Sequence, residues 1–123
     1  MLEKGLTYKS RIEVDSASTA CAMGSGDMAV YATPSMVALM ENAAMLAVSE
    51  HLAEGETTVG TRLEIDHVKA SAVGSRIEAT ALLTEVDGRR LTFEVEAYDE
   101  KGLIGKGIHT RFVVLREKFL AKL

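Results

Sequence analysis

Residues 33–55 read TPSMVALMENAAMLAVSEHLAEG, and the fold turns on how this stretch is understood. Thr33 is a good helix N-cap, and Pro34 suits the first helical position, where its missing N–H is not needed. Gly55 supplies the stop, so a helix over about residues 34–53 is predicted. Between Met36 and Val48 only Glu41 and Asn42 are polar. A helix that apolar is wrapped on most sides rather than laid on a wet surface. On a helical wheel the neighbours within about 60° of Glu41 are Pro34, Val37, Ala38, Ala44, Met45, Val48 and Leu52. All are apolar, and the polar stripe of Ser35, Asn42 and Ser49 lies about 100° away.

The segments around the helix alternate with a period of two. Leu6, Tyr8, Ile12 and Val14 share one parity against Thr7, Lys9, Arg11 and Glu13, as in a half-buried strand. Residues 16–29 are mostly small and end in a Gly24-Ser25-Gly26-Asp27 turn signal, predicting a loop with one helical turn. After the helix, Val59, Thr61, Leu63, Ile65 and His67 fall on one parity, against Arg62, Glu64 and Asp66. A strand over 75–86, an Asp87-Gly88 hairpin turn and a strand carrying Leu91, Phe93, Val95 and Ala97 follow. Lys101-Gly102 then turns into a last strand over 103–115, where Gly105 and Gly107 mark a bend or a close backbone approach. Short turns make neighbouring strands antiparallel. One buried helix and five such strands give an α+β fold in a single domain over 1–123, a curved antiparallel sheet wrapped around the helix: the hot-dog arrangement.

Composition narrows the function classes. A chain of 123 residues, 47% hydrophobic and 26% charged, has enough core to fold without metal or disulfide staples. A net charge of −4 argues against nucleic acid, whose phosphates need a basic footprint. The single Cys21 cannot form an internal disulfide and fits a reducing cytoplasm. The N-terminal region carries Glu3, Lys4, Lys9, Arg11, Glu13 and Asp15, so no signal core is read there, and the apolar run Ala43–Val48 is too short to cross a membrane.

Three residues stand out chemically. Glu41 lies on the greasiest side of its helix, where a carboxylate needs a partner or takes up a proton. His67 continues the inward parity, and beside a buried carboxylate it suits acid–base work near neutral pH. Thr33 caps the helix and also sets a hydroxyl beside free backbone N–H groups. His51 lies near the helix end, and His109 shares a strand parity with Gly105, Gly107 and Arg111 on a mixed face able to line a groove. The histidines, Cys21 and carboxylates show no ligand spacing, so neither a metal nor a cofactor is expected. Met28, Met36, Met40 and Met45 offer adaptable lining for an acyl chain.

Residues 23–41, MGSGDMAVYATPSMVALME, resemble the helix-entry segment of hot-dog acyl-CoA thioesterases akin to fluoroacetyl-CoA thioesterase. Residues 59–67, VGTRLEIDH, look like the second strand of the same family. The resemblance implies a catalytic set of Thr33, Glu41 and His67. It implies that Gly60 presents its N–H to the thioester oxygen and that Arg111 lies near the substrate, with Tyr31 and Met28 in the helix-entry loop lining the acyl site. It also implies a phenylalanine near the pocket entrance of the fluoroacetyl-specific enzyme, yet no Phe lies between residues 1 and 92 here. A general short or medium acyl-CoA is therefore the expected substrate, with coenzyme A as its carrier.

Thr33 and Glu41 are eight residues apart, about 12 Å along one helix. They cannot easily reach one carbonyl within a single chain, so a homodimer with shared sites is expected. Two other readings remain open: a non-catalytic acyl-CoA-binding module, and a hot-dog hydratase or dehydratase using an Asp and a His. Adjacent Asp66 and His67 have opposite parity, which argues against the last.

Overall fold

The period-two segments fold into five strands: β1 (Thr7–Glu13), β2 (Glu56–His67), β3 (Arg76–Asp87), β4 (Arg90–Asp99) and β5 (Gly102–Leu115). In the computed structural model, which describes residues 2–123, they form one antiparallel sheet in the order β1-β3-β4-β5-β2. Helices α1 (Ala20–Met23), α2 (Thr33–Ser49) and α3 (Arg116–Ala121) complete the chain, with a 3-10 turn at Ser16–Ser18. The expected hot-dog arrangement is present, with α2 lying across the inner face of the sheet mainly over β1 and β3.

The alternation in β4 explains this packing. Leu91, Phe93, Val95 and Ala97 are buried and meet Ile77, Ala79, Ala81 and Leu83 from β3 on the same face. The small alanines of the sheet leave room for the larger Met36, Leu39 and Met40 of α2 in one core cluster. Each fully buried Leu, Phe or Met contributes about 1.5–3 kcal/mol. The β3–β4 hairpin closes on Gly88, whose φ of 62° a side chain would resist.

Several element boundaries differ from the sequence reading. Helix α2 begins one residue earlier and stops at Ser49, with Gly55 (φ 84°) falling in the turn before β2 instead of at the cap. Ala32 is the N-cap and makes no side-chain bond, so Thr33 is already helical and its hydroxyl is not used on the helix amides. The loop over 16–29 holds two short helical pieces, and α3 continues beyond the last predicted strand.

A register shift in β2 decides the site. Gly60 pairs with Arg111 and Arg62 with Thr110, leaving Thr61 as an extra residue in β2. Such a bulge reverses the facing of everything beyond it. Thr58 and Gly60 therefore face α2 on one side of the bulge, and Leu63, Ile65 and His67 face it on the other. Val59 and Thr61 do not share the face of His67, as strict alternation had implied. The close approach expected at Gly105 and Gly107 is present: a Cβ on Gly105 would run into Met36, and one on Gly107 into the backbone of Glu64 and Ile65.

Candidate active site

At the N-terminus of α2, Thr33 Oγ1 stands 2.8 Å from Nδ1 of His67, the last residue of β2. Burial of the imidazole pulls its pKa below the ordinary histidine value, partly offset by the nearby Lys69 backbone. Nε2 of His67 is buried and makes no hydrogen bond of normal length and angle among the described residues. With Nδ1 accepting from the threonine, the pair has the geometry of a hydroxyl nucleophile and its base.

Thr33, His67, Tyr31, Val30 and Val68 line a pocket of about 280 Å³. Tyr31 is buried, which raises its pKa against a smaller pull from the Ser35 hydroxyl. Its own hydroxyl has no well-formed hydrogen bond among the described residues. Met28 does not line this pocket and is 65% exposed. Two larger open grooves, about 610 and 660 Å³, lie against β1 and hold neither Thr33 nor His67.

A second grouping lies two turns further along α2. Glu41 Oε2 is 3.7 Å from a terminal guanidinium nitrogen of Arg111. Gly60 is packed so closely beneath them that a Cβ there would come within 2.6 Å of Glu41 Oε2. Arg111 is buried and donates from Nε to Thr58 Oγ1 at 2.8 Å and from a terminal nitrogen to the Thr58 carbonyl at 2.9 Å. Burial lowers its pKa, against the upward pull of the Glu41 carboxylate. His109, whose parity placed it beside Arg111 in the sequence, is fully buried in the same grouping.

The structure thus joins Thr33 to His67, and Glu41 to Gly60 and Arg111, but it does not bring Glu41 to His67. The reason is helical rise: eight residues of α2 separate the two groupings by about 12 Å. The expectation of a buried Glu41 is also corrected, because its side chain is 38% exposed. Helix α2 sits toward β1 and β3, so the side that faces β2 and β5 is less covered, and Val37 and Met45 are likewise only half-buried.

Comparison with known proteins identifies the family. Residues 14–117 match the family model described as the fluoroacetyl-CoA-specific thioesterase FlK. The chain belongs to that family. The fluoroacetyl-CoA thioesterase of Streptantibioticus cattleyicolor is 43% identical over 93 residues, which cover 76% of this chain and 67% of the relative. Among solved structures, a threonine-to-serine variant of a fluoroacetyl-CoA thioesterase in complex with acetyl-CoA is 33% identical, with a TM-score of 0.93 over 98% of this chain and 96% of that one. A thioesterase superfamily member from Thermus thermophilus is 30% identical, with a TM-score of 0.91 over 99% and 90% of the two chains. The fold and the thioester-hydrolase class implied by the sequence resemblance are those of the FlK family.

Proposed function

We propose that this chain, a thioester hydrolase of the FlK family, cleaves short or medium acyl-CoA to the free acid and CoA, with Thr33, His67 and Glu41 as its catalytic residues. The observation that carries this reading is the 2.8 Å contact between Thr33 Oγ1 and His67 Nδ1 at the mouth of a pocket. Thr33 Oγ1 attacks the thioester carbon while His67 takes its proton. The carbonyl oxygen gains the negative charge and is held by the Gly60 N–H. The C–S bond then breaks, and the CoA sulfur leaves with the proton from His67. Water attacks the resulting Thr33 ester, giving its proton to Glu41. The acid departs as the proton held on Glu41 passes by way of His67 to the Thr33 oxygen, which returns all three residues to their starting states.

This sequence of steps needs Glu41 near Thr33, which one chain does not supply. We place two copies of the chain side by side along β2, so that each copy's Glu41, Gly60 and Arg111 complete the other copy's Thr33–His67 pair. Three features support a homodimer of this kind. Strand β2 is 12 residues long and lies at the sheet edge; such an edge invites pairing. Leu63 faces inward yet is 40% exposed. The half-open stripe of Val37, Glu41 and Met45 lies on the same side. Sedimentation that finds a fully active monomer would overturn the dimer.

Tyr31 contributes a buried wall of the acyl pocket, whereas the exposed Met28 is not part of its lining. The reaction needs neither metal nor cofactor beyond the CoA of the substrate. No helix of the described residues is long and apolar enough to cross a membrane. The exposed thiol of Cys21 fits a reducing cytoplasm.

The test is thiol release across an acyl-CoA series for the wild type, His67→Ala and Glu41→Gln. Hydrolysis by the wild type and a loss of about 10²-fold or more in each variant is expected. Acyl-CoA binding without hydrolysis by the wild type would make the chain a binding module instead.

A further inference from the structure

His109 takes no part in the steps above, yet it is fully buried and bonded at both ring nitrogens. Its Nδ1 lies 2.9 Å from the carbonyl oxygen of Arg62, beside the bulge at Thr61. A carbonyl only accepts, so Nδ1 carries the proton. Its Nε2 lies 3.2 Å from a terminal nitrogen of Arg111. A guanidinium only donates, so Nε2 is the bare acceptor. The two partners together fix one neutral tautomer. Phe93 of β4 flanks the ring at 6.2 Å between centroids and offers no competing polar group.

We infer that His109 is a positioning residue: its unprotonated Nε2, together with the hydroxyl and carbonyl of Thr58, holds the Arg111 guanidinium in one orientation beside Glu41 in the proposed site. Three of the five guanidinium N–H groups are occupied by Thr58 Oγ1, the Thr58 carbonyl and His109 Nε2. The remaining two lie on the terminal nitrogens, one of which is 3.7 Å from Glu41 Oε2. A long, flexible side chain is thereby reduced to a rigid fork before substrate arrives, which is what a preorganised electrostatic site requires. A protonated His109 would aim an N–H at Arg111 and break the arrangement. The same bulge that turns Gly60 toward Glu41 also brings the Arg62 carbonyl to Nδ1, so tautomer and site geometry share one cause.

This inference rests on the placement of Arg111 in the proposed thioesterase site. The experiment is a double-mutant cycle read by thiol release, with His109→Phe and Arg111→Met singly and combined, and His109→Gln as the conservative variant. His109→Phe keeps a ring against Phe93 and removes the acceptor. Expected are a loss in kcat/KM of about 10-fold or more for each single variant, no further loss in the double variant, and partial recovery in His109→Gln. Imidazole ¹⁵N spectra of the wild type, which do not depend on any variant folding, are expected to show Nδ1 protonated and Nε2 bare. Additive losses, an unaffected His109→Phe enzyme, or an Nε2-protonated or doubly protonated ring would overturn the inference. A wild type that releases no thiol from any acyl-CoA would instead overturn the thioesterase reading, while the ¹⁵N spectra still decide the role of His109.

Discussion

Thr33 Oγ1 and His67 Nδ1 meet at 2.8 Å although 34 residues separate them in the chain. The contact joins the first residue of the central helix to the last residue of an edge strand. In the proposed reaction the imidazole takes the threonine proton, so this contact bears on how the rate depends on pH.

Because burial lowers the pKa of His67, the free base that accepts the Thr33 proton persists below the ordinary histidine value of 6.5. The rate is full above the folded pKa and falls as pH drops through it. A kcat/KM profile is expected to keep its plateau down past pH ~6.5, and its acid limb is expected to be absent from the residual activity of His67→Ala. An acid limb centred above the ordinary value would contradict this assignment.

Gly60→Ala tests the second grouping without removing a polar group. The added methyl falls 2.6 Å from Glu41 Oε2 and 3.1 Å from the His109 ring, so the half-exposed Glu41 side chain must move away. A drop in kcat of about 10–10³-fold is expected, with the loss of transition-state charge stabilisation as the cause. Circular dichroism should show the fold intact, because Glu41 is a flexible side chain with room outward.

Asp99 predicts an acid-sensitive joint. Burial alone would raise its pKa, but the Lys69 ammonium at 2.7 Å, the Ser71 hydroxyl at 2.8 Å and the Lys101 amide hold it at about 2, below the ordinary 3.8. A depressed carboxyl pKa contributes stability that is full above the unfolded value and is lost as pH falls toward the folded one. Melting temperature should therefore decline between pH 3.8 and about 2. Asp99→Asn should flatten that decline and cost about 1–3 kcal/mol at neutral pH, read by urea denaturation.

Gly107→Ala is expected to be the most damaging single methyl. Its Cβ would strike the Glu64 carbonyl and the Ile65 backbone, neither of which can yield without parting β5 from β2. A destabilisation of about 2 kcal/mol or more is expected by chemical denaturation. A variant as stable as the wild type would show that the two strands are less tightly apposed than described.

The features legible in the sequence are those encoded by local pattern. The apolar run after Thr33-Pro34 identifies the helix, the clean alternation from Leu91 to Ala97 identifies an inward face, and Asp87-Gly88 identifies a hairpin. His109 and Arg111 were also legible as neighbours, since two residues on one strand share a face. Three features had no local signal. The bulge at Thr61 arises from how β2 pairs with β5, and Val59-Gly60-Thr61 reads as uninterrupted strand. The exposure of Glu41 depends on where α2 rests across the sheet, which a helical wheel does not contain. The Thr33–His67 contact was hidden because a threonine before proline at a helix start already has a sufficient explanation as a cap. Helix α3 did carry a weak signal in the acidic Glu117 of its first turn and Lys118 of its last.

The extra residue at Thr61 gives β2 two reading frames. Upstream of it, Gly60 serves one cluster, and downstream His67 serves another. A regular strand of the same composition would present only one of them to the helix. Loss of one residue between Gly60 and His67 is therefore expected to turn one of the two to the outer face of the sheet. Where most proteins record function in the identity of side chains, this strand also records it in a count.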